Sequence, residues 1–288
     1  MRNKMILKLV IGIILALVLG FVICGLYNPL SVSRVKVESP EINHSIRIAL
    51  VSDLHSCRYG KDQAELTNLL DDQAPDLVCL AGDIFDDKRP AGNTEVFLSA
   101  ISEKYPCFYV TGNHECRLGT KEFREKMDIL EELGVVRLSN ESRELEICGQ
   151  RINICGVDDP EFNRHNSGHH ISDALFRIRQ SLPDGGFSLL LSHRPEFFSM
   201  YADYGFDLTL CGHAHGGQWR IPRLLENGLL APNQGLFPKY TNGKYASGNS
   251  AMVVSRGLAK ESTIVPRFYN KPEIVIIDLG GIRHENAE

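Results

Sequence analysis

Three patterns of apolar and polar residues succeed one another along the chain. Residues 9–26 carry no charge and are almost wholly apolar, with IGIILALVLGFVICG at their heart. Eighteen residues at about 1.5 Å each span about 27 Å as a helix, close to the thickness of a bilayer core. Residues 31–45 lack either periodicity and read as a linker. From residue 46 onward, short apolar runs alternate with amphipathic stretches. The runs at 46–52, 77–81, 107–110, 151–156, 188–192, 208–211, 252–255 and 274–279 are strand candidates, and several are continuously apolar, as strands buried on both faces are. The stretches at 63–72, 94–103, 121–133, 172–181 and 196–204 are helix candidates; Leu66, Leu69 and Leu70 show the i, i+3, i+4 spacing of a helix face. Strand–helix alternation predicts a layered α/β domain over 46–288. Residues 216–250, rich in Gly, Pro and Asn, read as a long loop or hairpin region.

The N-terminal run is flanked by Arg2, Lys4 and Lys8 before it and Arg34 and Lys36 after it. A helix apolar all round at the extreme N-terminus has little to pack against. There is no clear small-residue cleavage site near Cys24 to Asn28, so a signal anchor is preferred to a cleaved signal peptide or a core helix. The basic flank favours a cytoplasmic stub and an extracytoplasmic main domain. Residues 1–30 are thus expected to be the stub and a single-pass membrane anchor. The eight cysteines qualify this picture. Cys24 lies in the anchor, and the other seven form no C-x-x-C pair, a usage that suits a reducing compartment.

Formal net charge is -5, from 31 Lys+Arg and 36 Asp+Glu. The first forty residues hold five basic and one acidic residue, which leaves 26 against 35 in the body. So acidic a body argues against bulk nucleic-acid binding, and an anionic substrate would need a local source of positive charge, such as metal ions.

The chemistry follows from where His, Asp and Asn fall. Asp53 and His55 follow the first strand candidate (IALVSDLH), Asp83 the second (LVCLAGD), and Asn113 and His114 the third (CFYVTGNHE). His193 ends LLLSH, and His213 and His215 end LTLCGHAH. Read singly, each is a turn, a cap or a satisfied polar pair. Jointly, five segments deliver eight such residues to the carboxyl ends of strands, where ligands bind in open α/β sheets. Nitrogen and oxygen donors without cysteine suit Mn, Fe, Zn or Co. The set exceeds what one ion needs, and a carboxylate shared by two ions is the economical arrangement.

The order D-x-H, G-D, G-N-H-E, H, G-H-x-H resembles the calcineurin-like metallophosphoesterase superfamily over nearly all of 46–279. GHAHGGQWRIP, APNQGLFPKYTNG, VSRGL and PEIVIIDL are similar to its membrane-anchored or secreted bacterial phosphodiesterase branch. The chain departs from that branch at Ala259, Lys260 and Glu261, where Gly-Asn is expected. The resemblance implies a four-layer α/β/β/α sandwich of two mixed β-sheets flanked by helices. It implies two divalent or transition-metal ions, one held by Asp53, His55 and His215, the other by Asn113, His193 and His213, with Asp83 shared. It implies hydrolysis of phosphodiester or pyrophosphate bonds by in-line attack of a metal-bridging hydroxide, with lipid- or nucleotide-linked esters among the candidate substrates. His114 would protonate the leaving oxygen, and Asp53 would orient His114. Arg58, Arg194, Asp158 and Gln218 are candidate substrate contacts, with Asp159, Gly216 and Gly217 beside them; Trp219, Phe237 and Tyr240 are a candidate apolar lip. A phosphomonoesterase on the same site and a non-catalytic membrane-anchored binding module are the competing functions.

Overall fold

The computed structural model describes residues 2–164, 171–183, 185–260 and 265–281. The elements begin with helix α1 (Arg2–Leu26), strands β1 (Ser31–Glu38) and β2 (Ile46–Val51), helix α2 (Ala64–Asp71), β3 (Leu77–Ala81), α3 (Gly92–Ser102) and β4 (Cys107–Val110). There follow α4 (Asn113–Cys116), α5 (Thr120–Glu132), β5 (Val136–Arg137), β6 (Glu141–Ile147), β7 (Gln150–Gly156), α6 (Ile171–Ser181) and β8 (Phe187–Leu191). The chain continues with α7 (Phe198–Asp203), β9 (Leu208–Cys211), β10 (Leu230–Ala231), β11 (Gly235–Leu236), β12 (Gly243–Ser247), β13 (Ser250–Val254) and β14 (Glu273–Gly280).

Continuous apolar strands arise because alternate residues face two different cores. In β2, Ile48 and Leu50 enter a cluster between the sheets, while Ala49 and Val51 enter a second cluster under α2, α3 and α5. In β8, Leu189 and Leu191 face the first cluster and Leu190 a third, packed under α6 and α7. The sheets have the orders β1-β14-β2-β3-β4-β5 and β12-β13-β9-β8-β7-β6. Each is mixed: β2 to β5 run parallel, as do β7, β8, β9 and β13, with antiparallel pairs at β14–β2, β12–β13 and β6–β7. Two sheets face to face with helices outside give the expected four layers.

One expectation is corrected. Residues 31–38, read as linker, form β1, which pairs in parallel with β14 from Ser31↔Glu273 to Glu38↔Gly280. Only three valines interrupt its polar residues, and an edge strand needs no more, since one side of it faces water. The charged strand β6 closes the other sheet in the same manner. The helix α1 holds a 24-residue apolar span, Asn3–Leu26, and nearly all of its side chains are exposed. Its last turn meets the body where the Tyr269 N–H donates to the Gly25 carbonyl at 2.7 Å. Cys57, Cys79, Cys107, Cys155 and Cys211 are buried free thiols that pack as small hydrophobes.

Candidate metal centre

The parallel strands β2, β3, β4, β8 and β9 bring their carboxyl ends together, and the polar residues that follow them converge. Asp53, His55 and His215 place ligand atoms within 4.8 Å of one another, and so do Asp83, His193 and His213. The groups meet at Asp83, whose Oδ2 lies 3.2 Å from His193 Nε2 and 3.6 Å from His55 Nε2. Asp53 Oδ1 is 3.7 Å from His215 Nε2, and its carboxylate accepts the His213 N–H at 3.1 Å. Asn113 is buried at the start of α4.

The backbone is bent to this purpose. Asp53, His55, Asp83, His213 and His215 all have φ between 46° and 66°, a left-handed conformation uncommon for side-chain-bearing residues and clustered at functional sites. Gly112 has no room for a side chain: a Cβ there would come within 2.2 Å of Asp83 Oδ1.

Hydrogen bonds fix which ring nitrogens face inward. The outer Nδ1 of His193 donates to the Ala81 carbonyl at 2.8 Å, turning Nε2 toward Asp83. His213 Nε2 lies 2.9 Å from Asn233 Oδ1 and 3.0 Å from Arg194 Nη1, leaving Nδ1 3.1 Å from His193 Nε2. His55 Nδ1 meets Asp86 Oδ2 at 3.2 Å. His55 Nε2, turned toward Asp83, and Asn113 Oδ1 are buried with no hydrogen-bond partner; on His215, Nε2 approaches Asp53 and Nδ1 is the unpartnered nitrogen. Buried polar atoms are rarely orphaned. Nitrogen and oxygen lone pairs converging among two carboxylates, with the outer nitrogens of His193 and His55 anchored to the Ala81 carbonyl and Asp86, are the donor set a divalent cation needs. The residues present therefore fit the two-ion centre.

The charges are strongly coupled. Burial alone would raise the Asp83 carboxyl, but the His193 ring, with His55 and His114 behind it, holds it well below the ordinary carboxylate range. Burial opposes protonation of His193, yet Asp83, then Asp53, push its pKa up to about 10. Burial, with His193 and Arg194 beside it, holds His213 well below the usual range; burial with His55 and Arg267 does the same for His215. One prediction follows, because a ligating imidazole must be neutral. Cation binding should release at least one proton, and apparent affinity should rise with pH by about tenfold per unit until near the His193 value of about 10. Titration calorimetry in two buffers of different ionisation enthalpy measures this; heats independent of buffer would refute it.

His114 stands at the rim with its ring centroid 4.3 Å from that of His55. Its backbone N–H donates to Asp83 Oδ1 at 2.8 Å. The expectation that Asp53 orients it is corrected: His114 Nδ1 lies 2.6 Å from Asp87 and 3.8 Å from Asp86, while Asp53 is committed to the His213 N–H and Ser52 Oγ.

Most of the expected substrate contacts prove to be internal. Arg194 is only 2% exposed, pairs through Nε and Nη2 with Asp159 at 2.5 and 2.9 Å, and donates to Asn233 at 2.7 Å; it braces His213. Asp158 accepts from Thr111 at 2.8 Å and Ser139 at 2.5 Å and is buried, tying the ends of the two sheets. Gln218 is buried at φ 56°, its side-chain amide donating to the Val265 carbonyl. Arg58 alone of the four is exposed, its Nε donating to the Gly60 carbonyl at 2.9 Å. Gly216 and Gly217 are buried in the turn after His215. Trp219 and Phe237 are exposed, as a lip requires. Tyr240 instead packs edge-on against Phe198 and Tyr245. Lys260 lies over the Tyr59 ring, and Glu261 falls outside the described residues.

Sequence reasoning missed Glu115, Asp86, Asp87 and Asn270. The fully buried Glu115 accepts the backbone N–H groups of Asp83, Ile84, Phe85 and Gly112 at 2.8–3.0 Å. Asn270 Nδ2 donates to the carbonyls of His215 at 2.7 Å and Gln218 at 3.2 Å. The three carboxylates were signalled in GNHE and GDIFDD, where they adjoin the ligand candidates; Asn270, in RFYNKP, adjoins none of them.

Comparison with known proteins agrees with this geometry. The sequence profile of the calcineurin-like phosphoesterase family matches residues 46–217. The chain is 30% identical over 235 residues to the uncharacterized metallophosphoesterase YkoQ of Bacillus subtilis, covering 80% of this chain and 82% of that one. It is 28% identical over 237 residues to phosphodiesterase YaeI of Escherichia coli, covering 81% and 82%. Among solved structures, the NAD nucleotidase NadN of Haemophilus influenzae superposes with a TM-score of 0.50 at 17% identity, over 75% of this chain and 46% of that one, a likeness of fold.

Proposed function

Because the chain belongs to the calcineurin-like phosphoesterase family, we propose that it is a two-metal phosphodiesterase held at a membrane by its N-terminal helix. Asp53, His55 and His215 would hold one cation and Asn113, His193 and His213 the other, with Asp83 between them. When bound, such ions acidify water and draw charge from phosphoryl oxygens. The observation that carries this reading is the single Asp83 oxygen, 3.2 Å from a ring of one group and 3.6 Å from a ring of the other. The phosphodiester preference is supported by the similarity to YaeI.

The chain's own part in the reaction centres on His114. Asp87 accepts from Nδ1 at 2.6 Å, which orients the ring. Nε2 faces outward, 3.5 Å from Arg117 Nη1, and would give its proton to the leaving oxygen. Arg58, exposed on the otherwise buried loop after β2, would meet a non-bridging oxygen through its planar fork.

The test is hydrolysis of bis(p-nitrophenyl) phosphate by the full chain in detergent, with Mn²⁺ and with chelator. Turnover should require the metal, and His114→Ala should reduce it by about 10²–10⁴-fold. The loss should be larger on an alkyl ester, whose leaving oxygen needs the proton more. Equal losses on both esters would remove His114 from the donor role, and faster hydrolysis of p-nitrophenyl phosphate would turn the assignment to a monoesterase.

For the helix, the supporting observation is its apolar, exposed length. We read it as an uncleaved single-pass anchor with the catalytic domain outside the cytoplasm. Retention in carbonate-washed membranes at the uncleaved mass is the expected result.

A further inference from the structure

We infer that the loops at 219–237 and 265–269 form a second membrane contact, seated in the lipid headgroup region beside α1 and holding the metal centre at the bilayer surface. The inference rests on the anchor reading above. Its basis is how far the body reaches along the helix. Tyr269 does not stop at the end of α1: its hydroxyl donates to the Phe21 carbonyl at 3.0 Å. The Phe21 ring lies 5.5 Å from that of Phe268 and 5.1 Å from that of Tyr269, centroid to centroid. Phe21 is five residues before Leu26, about 7.5 Å back along the helix axis. If the apolar span ends at Leu26, Phe21 is inside the membrane boundary, and the aromatic residues packed on it must sit at the interface rather than above it. Aromatic side chains with a polar edge favour that depth.

The surface continues outward from there. The Trp219 ring lies 5.7 Å from Phe268 and its Nε1 donates to the Pro266 carbonyl at 3.0 Å, yet the residue is 42% exposed. Leu229 N–H donates to the Trp219 carbonyl, and Phe237 N–H to the Leu229 carbonyl, each at 2.8 Å. This lattice carries the exposed Leu224, Leu236 and Phe237. Arg223 in the first loop, and Lys239 and Lys271 two residues beyond the loop ends, are exposed beside the single exposed Glu226, suited to anionic headgroups. The same loops support the centre: Phe268 N–H donates to the Gln218 carbonyl at 3.2 Å, and Asn270 holds the carbonyl of His215. Depth in the membrane and position of the metal loop are therefore coupled.

Trp219 is the only tryptophan of the chain, so its fluorescence reports this surface directly. The full chain is reconstituted in liposomes of phosphatidylcholine and phosphatidylglycerol whose acyl chains carry bromine either near the headgroup or near the bilayer centre. Shallow bromine should quench Trp219 by at least about twofold, and deep bromine markedly less. The double variant Leu224→Glu with Leu236→Glu should lose most of the shallow quenching while keeping wild-type turnover of soluble diester in detergent. Liposomes that float with the protein but leave Trp219 unquenched would overturn the inference. Protein that fails to float would overturn the anchor reading and this inference with it, and metal-dependent turnover in detergent would still stand or fall separately.

Discussion

Asp83→Asn should reduce diester hydrolysis below detection and lower bound metal from about two ions per chain to one or fewer, in a protein that still folds. Asn matches Asp in volume, and its side-chain oxygen can still accept the His114 N–H that Asp83 Oδ1 accepts at 2.8 Å. What it cannot supply is a second anionic oxygen toward His193 and His55. Two neighbouring carboxylates are already engaged: Asp53 by Ser52 and the His213 N–H, and Asp86 by His55 Nδ1 and the Lys88 N–H at 2.8 Å. The informative control is Asp86→Asn, which leaves every proposed ligand in place but weakens the anchor on His55. Losses of about 10–100-fold in metal affinity are usual for such outer partners. Elemental analysis and turnover on the two variants, with circular dichroism to establish folding, make the comparison. An Asp83→Asn protein that keeps two ions, or a tenth of the activity, would rule out the shared carboxylate.

The candidate centre was legible because its signal is local. A strand buried on both faces is a run of apolar residues, and a ligand at its carboxyl end is the next polar residue. Asp83 after LVCLAG and His193 after LLLS need no partner to be noticed. The two sheets were legible for the same reason, except at their edges. Strand β1 was missed because its identity depends on pairing with β14, from Ser31 to Glu273, and its own residues are half polar. Charged residues beside the strand ends were harder to read. Charge beside a site suggests recognition, and on that ground Arg194 and Asp158 read as substrate contacts in the sequence. In the structure Arg194 meets Asp159 in a buried, two-toothed pair, and Asp158 ties the sheet ends. Only coordinates distinguish a cation that meets the substrate from one that holds a ligand in place. Glu115 shows the opposite error: it was visible in GNHE, but its four partners are backbone N–H groups, which no side-chain pattern records.

Those four partners set the largest expected loss of stability, for Glu115→Gln. Oε2 accepts from Asp83 at 3.0 Å and Gly112 at 2.8 Å, and Oε1 from Ile84 at 2.8 Å and Phe85 at 3.0 Å. Burial, then the neighbouring Asp83, push this carboxyl up to about 7, against the four donors that favour its charged form. A glutamine has one acceptor oxygen; its amide nitrogen would point hydrogens at the other two N–H groups, leaving both buried and unpaired. At about 1–3 kcal/mol each, the cost is about 2–6 kcal/mol, a large part of the 5–15 kcal/mol usual for a domain. For a domain of this size that corresponds to a fall in Tm of about 5–20 °C. The loss should also reach the metal centre, because Asp83 is held at φ 51° by the loop that Glu115 gathers, and a relaxed loop would turn its carboxylate away from His193. Thermal unfolding with and without Mn²⁺ tests both parts: the variant should melt early and gain little from metal. A Tm within about 2 °C of wild type, with the usual metal stabilisation, would mean that these N–H groups find other acceptors and that Glu115 does not organise the site.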